Sequence, residues 1–203
     1  MHASLRSGLP LTRPRSTALL QEALTHKSAL EELTPSLRGN RRDYQRLEFL
    51  GDAALQLIIS EALMRRHGAA DEGELTKRRA LCVRESSLAE LARKYRLDRC
   101  VELGVGVRLK GGAEEAMLCD LFESVLGAVF LDGGLAKAKT AFGAALNEMI
   151  DRFATCDPMA TLDPKGYVLQ QADAGKIKRP VFAHVTPASL SPQLVLLTID
   201  DRA

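Results

Sequence analysis

A chain of 203 residues, 46% apolar and 27% charged, is long enough for one well-cored domain and a small second one, and its composition excludes a fibrous or disordered protein. A net charge of +2 excludes attachment to a polyanion through bulk charge alone, leaving that task to local basic clusters. No apolar run reaches bilayer length, and Cys82, Cys100, Cys119 and Cys156 lack the paired spacing of a zinc site or disulfide framework, which suits core thiols in a reducing compartment.

Residues 1–15 carry Arg6, Arg13 and Arg15 and no acid. Such a start can be an organelle-targeting peptide, but it is short and lacks amphipathic order, so it reads as a flexible leader. The spacing of Leu19, Leu20, Ala23 and Leu24 predicts a helix from 16 to about 33, with Ser16 or Thr17 as its cap and Pro35 and Gly39 beyond it. His26, inside that stretch, reads as a structural helix residue rather than a catalytic one. A second helix is expected from an Asp43 cap to about 67, where Arg65, Arg66 and His67 complement the dipole and Gly68 terminates.

Asp71 caps a short helix bearing Lys77, Arg78 and Arg79, and another, from about 86 to 95, ends in Arg93, Lys94 and Arg96. Singly these cations read as solvated helix surface; together they are also what a phosphate-gripping face needs. Residues 100–115, with Gly104, Gly106, Gly111 and Gly112, read as a mobile loop, and Lys110-Gly111-Gly112 lacks the Lys-Ser/Thr pair of a P-loop. Helices follow at about 114–131, stopping at Gly133-Gly134, and at about 135–153. Residues 154–162 read as a linker, 163–174 as a helix opening on Pro164, and 181–185 and 194–199 as strands joined by the Pro-bearing turn 186–192.

Two of these helices carry acids where apolar residues dominate. Glu48 and Asp52 are four apart, hence on one face, among Leu47, Phe49, Leu50, Ala53, Ala54 and Leu55. Asp120 and Glu123, three apart, repeat the pattern. Buried carboxylates protonate, pair with a cation or hold a metal. A salt bridge to Arg46 is the structural alternative for the first pair. Two pairs are most economically explained if the helices pack and pool four oxygen donors around a hard cation, for which Mg²⁺ suits better than Zn²⁺.

The run from Gln45 to Leu55 resembles the signature of the ribonuclease III family, endonucleases that cut double-stranded RNA. Leu24-Thr25-His26-Lys27-Ser28, residues 71–79, Cys119-Asp120-Leu121-Phe122-Glu123 and Asp132-Gly133-Gly134 extend the resemblance over about 16–153, in the family's order. It implies a mainly α fold: a leader at 1–15, an all-helical nuclease domain at 16–153, a linker at 154–162, and at 163–203 an α-β-β piece of a double-stranded-RNA-binding domain, without that domain's last strand and closing helix. It further implies hydrolysis of phosphodiesters to 5′-phosphates with Mg²⁺, for which Mn²⁺ can substitute. Glu48, Asp120 and Glu123 match the family's metal ligands, and Asp52 and Glu123 its catalytic acids. Glu72 matches a supporting acid. Gln45 stands where bacterial members commonly have Glu, and so keeps hydrogen bonding but loses charge. Phe49 matches an aromatic that enters the partner subunit, implying a homodimer. Processing of ribosomal precursor and structured RNAs in the cytoplasm follows, or in an organelle if the leader is a targeting peptide, with no membrane partner. The alternative is a non-cleaving RNA-binding or ribosome-associated protein that kept the fold.

Overall fold

The computed structural model describes residues 14–184 and 195–198, so most of the expected leader and the whole of the expected turn at 186–192 lie outside the described residues. The chain divides into two compact units, Met1–Thr155 and Cys156–Ala203. In the first, the described elements are α1 (Thr17–Ala23), α2 (Lys27–Glu31), α3 (Pro35–Arg38), α4 (Gln45–Arg66), α5 (Glu72–Val83), α6 (Glu85–Lys94), a 3-10 turn at Leu97–Arg99, α7 (Val105–Leu109) and α8 (Glu115–Phe153).

The single helix expected over 16–33 is two. Ser16 caps α1 by accepting the Leu19 N–H at 3.3 Å, as its chemistry suggests. The chain then leaves the helix because Thr25 pairs in parallel with Glu102: the His26 N–H donates to the Glu102 carbonyl (3.0 Å) and the Glu102 N–H to that of Leu24 (2.7 Å). Thr25 is fully buried, and its hydroxyl donates to the Gln21 carbonyl at 2.7 Å, so no polar group is orphaned by the break. His26 caps α2 through Nδ1, which accepts the Ser28 N–H at 3.2 Å.

Helices α4 and α8 form the centre. Leu47, Leu55, Ile58, Ile59 and Leu63 of α4 are buried, as are Leu118, Leu121, Phe122, Val125, Leu126 and Val129 of α8. Their backbones come into close approach at Gly51 and Gly127. A Cβ on Gly51 would overlap the Glu123 carbonyl, and one on Gly127 the Leu47 carbonyl. Only hydrogen fits at either position, which sets both the crossing point and the facing of residues on either side of it. Against α8 packs α6, and Tyr95, Phe122 and Phe142 interlock there with ring centroids 5.4 to 6.3 Å apart, within the range of favourable aromatic pairs.

The expected stop at Gly133-Gly134 is a break within α8: Gly133 and Gly134 leave helical geometry, Gly134 at φ +70°, a conformation only glycine adopts freely. Asp132 secures the corner by pairing with the Lys137 ammonium and accepting the Arg15 N–H at 3.1 Å. Two other expectations are corrected by short helices. The loop over 100–115 contains α7, and the linker over 154–162 contains α9 (Pro158–Leu162), whose Asp157 cap accepts the Met159 N–H at 2.9 Å. The second unit continues with α10 (Pro164–Asp173), capped by Asp163, and with β1 (Val181–His184) paired antiparallel to β2 (Val195–Thr198), Val181 opposite Thr198.

Candidate functional site

Because α4 and α8 meet at Gly51 and Gly127, the residues one turn away on each helix are forced toward one another. Glu48 and Asp52 flank Gly51, while Asp120 and Glu123 lie in the turns before Gly127. All four side chains are half-buried. The crowding shows at Glu123, where burial, then Asp52, Asp120 and Glu48, push the carboxyl up to about 8. Burial, then Asp120, Asp43 and Asp52, raise Glu48. Asp120 is raised by burial, partly offset by a hydrogen bond from Tyr44, with Glu85 adding to the rise.

The salt-bridge alternative fails. Arg46 is exposed, and among the described residues no Lys or Arg forms an ion pair with any of the four acids. What remains is a crowd of half-buried oxygens that repel one another, the situation a bound cation relieves. One ligand atom each from Cys119, Asp120 and Glu123 lies within 4.8 Å of the others. Burial and the neighbouring carboxylates push the Cys119 thiol up to about 12, so near neutrality it stays protonated and the charged donors are oxygens. That donor chemistry fits a hard divalent ion such as Mg²⁺.

Asp52 is held separately: the Gln56 side-chain N–H₂ donates to both of its oxygens, at 2.9 and 3.1 Å. Glu72 and Gln45 are not brought to the cluster. Glu72 is exposed at the start of α5, accepting the Thr76 hydroxyl at 2.9 Å, and Gln45 is exposed at the start of α4, its N–H bonded to Asp43 Oδ1. Phe49 is 81% exposed and lies outside the core. The basic residues read together as a phosphate surface are partly spoken for. Arg78 pairs with Glu74, Arg79 donates to the Ser60 hydroxyl at 3.1 Å, and Lys94 pairs with Glu148 at 2.5 Å, while Lys77, Arg93 and Arg96 are exposed.

Four residues at the site escaped the sequence reading. Cys119 carried a usable signal, its spacing of four from Glu123, and so did Gln56 relative to Asp52. Tyr44 and Glu85 carried none, since they face acids on a different helix.

Comparison with known proteins bears on the family and the fold. Residues 16–149 match the family described as Ribonuclease-III-like. Ribonuclease 3 of Oleidesulfovibrio alaskensis is 48% identical over 121 residues, which is 59% of this chain and 51% of that relative, so the chain spans about half the relative's length. The nuclease domain of ribonuclease III from Campylobacter jejuni superposes with a TM-score of 0.58 at 34% identity, over 70% of this chain and 90% of that one. A second structure of that domain, described as flexible in the region involved in dimer formation, gives 0.57 at 34% identity over 68% and 88%. The family match covers well over half of the sequence and contains both acid-bearing helices; the chain belongs to the ribonuclease-III-like family.

Proposed function

We propose that this chain is a Mg²⁺-dependent endoribonuclease that hydrolyses phosphodiesters of double-stranded RNA, with Glu48, Asp120 and Glu123 as metal ligands, Asp52 and Glu123 as catalytic acids, and Glu72 and Gln45 in supporting places. The reading is supported by the mutual raising of carboxyls on α4 and α8, with Asp120 and Glu123 grouped within 4.8 Å, and by no Lys or Arg ion pair to any of the four among the described residues. A divalent ion bound there supplies Lewis acidity, lowering the pKa of water and steadying a leaving oxygen. The chain's own contribution is placement. Asp120 and Glu123 present oxygens from consecutive turns of one helix, Glu48 presents its own from the facing helix, and Gln56 fixes the Asp52 carboxylate as an acceptor able to orient a water.

The partner and substrate classes follow from the same reading. Duplex RNA is recognised by shape, 2′-hydroxyls and phosphates, to which exposed Lys77, Arg93 and Arg96 offer charge. A second copy of the chain accounts for Phe49, Leu57 and Met64, three large apolar residues 81%, 54% and 63% exposed along α4. In the second unit, α10 followed by the two antiparallel strands supports reading residues 163–203 as part of a double-stranded-RNA-binding domain.

The test is incubation of the purified chain with a long RNA duplex at low salt, with Mg²⁺ and then with EDTA. Cleavage that needs the metal is expected, and Glu123→Gln should abolish it while leaving duplex binding in a gel-shift assay. Absence of metal-dependent cutting would make the chain a non-cleaving RNA binder.

A further inference from the structure

The hydroxyl of Tyr44 reaches across from the start of α4 to Asp120 Oδ2 at 3.4 Å, and it is the one side-chain donor to that carboxylate among the described residues. Tyr44 is 5% exposed. Its N–H donates to the carbonyl of buried Thr25 at 3.0 Å, and its ring lies 5.7 Å from that of His26. The His26 ring is itself fixed, because Nδ1 accepts the Ser28 N–H and contacts the Ser28 hydroxyl at 2.7 Å, while that hydroxyl oxygen accepts the Gly104 N–H at 3.0 Å. Thr25 is fixed in turn by Glu102, whose carboxylate pairs with Arg41. Residues 25–28 and 102–104, far apart in sequence, therefore fix the surroundings of Tyr44.

We propose that Tyr44 is a positioning residue for the metal centre: its hydroxyl holds one oxygen of Asp120 and so aims the other at the cation. This rests on the reading of Asp120 as a metal ligand. Outer hydrogen bonds of this kind orient ligating carboxylates, and their removal typically lowers metal affinity or activity by 10- to 100-fold. A phenol suits the role because, buried among carboxylates, it stays protonated and donates without adding charge. The 3.4 Å separation is long for a hydroxyl and a carboxylate. The hydroxyl therefore stands beside a carboxylate whose surroundings a bound cation would change. The tyrosine is thereby an internal reporter, for the chain has three tyrosines and no tryptophan, and the Tyr44 hydroxyl is the one bonded to an acid of the cluster among the described residues.

The experiment titrates the full chain with Mn²⁺ alone, following free Mn²⁺ by electron paramagnetic resonance and the near-ultraviolet tyrosine difference spectrum, for the parent, Tyr44→Phe and Glu123→Gln. We expect the parent to bind Mn²⁺ and perturb its tyrosine spectrum. Tyr44→Phe, which keeps the ring and the N–H, should bind about tenfold more weakly and lose the spectral change, with an unaltered melting temperature in metal-free buffer. Parent-like affinity or a retained tyrosine signal in Tyr44→Phe would overturn the positioning role alone, and so would a parent that binds Mn²⁺ with no tyrosine perturbation, a result that requires no variant to fold. If the parent binds no Mn²⁺, or Glu123→Gln binds it equally well, the metal-site reading falls and this role with it.

Discussion

Glu123 concentrates the electrostatic conflict of the site. Its folded-state pKa of about 8 lies above the ordinary 4.5, so between these values the folded chain holds a proton that the unfolded chain has lost. With fewer protons on the unfolded state, stability falls as pH rises through that window. We expect the metal-free protein to melt at a lower temperature at pH 8 than at pH 5.5, and Mg²⁺ or Mn²⁺ to recover most of the loss at pH 8, as any ligand of the folded state does. Glu123→Gln should flatten this dependence; a pH profile in the variant as steep as in the parent would locate the cause elsewhere. At this scale the sequence was partly legible. Spacings of four and three put Glu48 with Asp52 and Asp120 with Glu123, because helix periodicity is local. Tyr44 was not legible, since its hydroxyl finds its acceptor 76 positions further along the chain.

Among elements, the crossing of α4 and α8 decides whether there is a site at all. Gly127→Ala places a methyl against the Leu47 carbonyl, backbone that cannot turn aside as a side chain would. The expected cost is about 3 kcal/mol, the upper end for overpacking, read as a lower denaturant midpoint, together with weakened metal binding as the helices part. A fully stable Gly127→Ala would mean the helices do not touch there. The long helices were readable because their apolar faces repeat locally, and their observed ends fall close to the expected ones. Where the reading failed, a long-range contact or a single helical turn intervened. Thr25 leaves the helix for Glu102, and α7 and α9 are too short, at five residues each, to leave a periodic trace.

For the molecule as a whole, the exposed face of α4 makes a claim about assembly. We expect the protein to be a dimer by size-exclusion chromatography with light scattering, and Phe49→Asp to be a monomer of unchanged helicity. A monomeric parent, or a variant that still dimerises, would assign Phe49, Leu57 and Met64 another purpose. Periodicity alone could not reveal this, because a Phe amid Leu and Ala reads as core until its exposure is seen. Among the described residues no helix is long and apolar enough to cross a membrane.

The Gly51–Gly127 contact also has a consequence for how the chain comes into being. The inner face of α4 is finished long before the segment that covers it. At ribosomal speeds of ~5–20 residues per second, Glu48 precedes Glu123 by roughly ten seconds. During that interval Leu55, Ile59 and Leu63 lack their cover, so nascent chains halted before α8 should be the ones chaperones capture and proteases clip. They should also be inert toward RNA, because no fragment ending before Glu123 contains both halves of the acidic cluster.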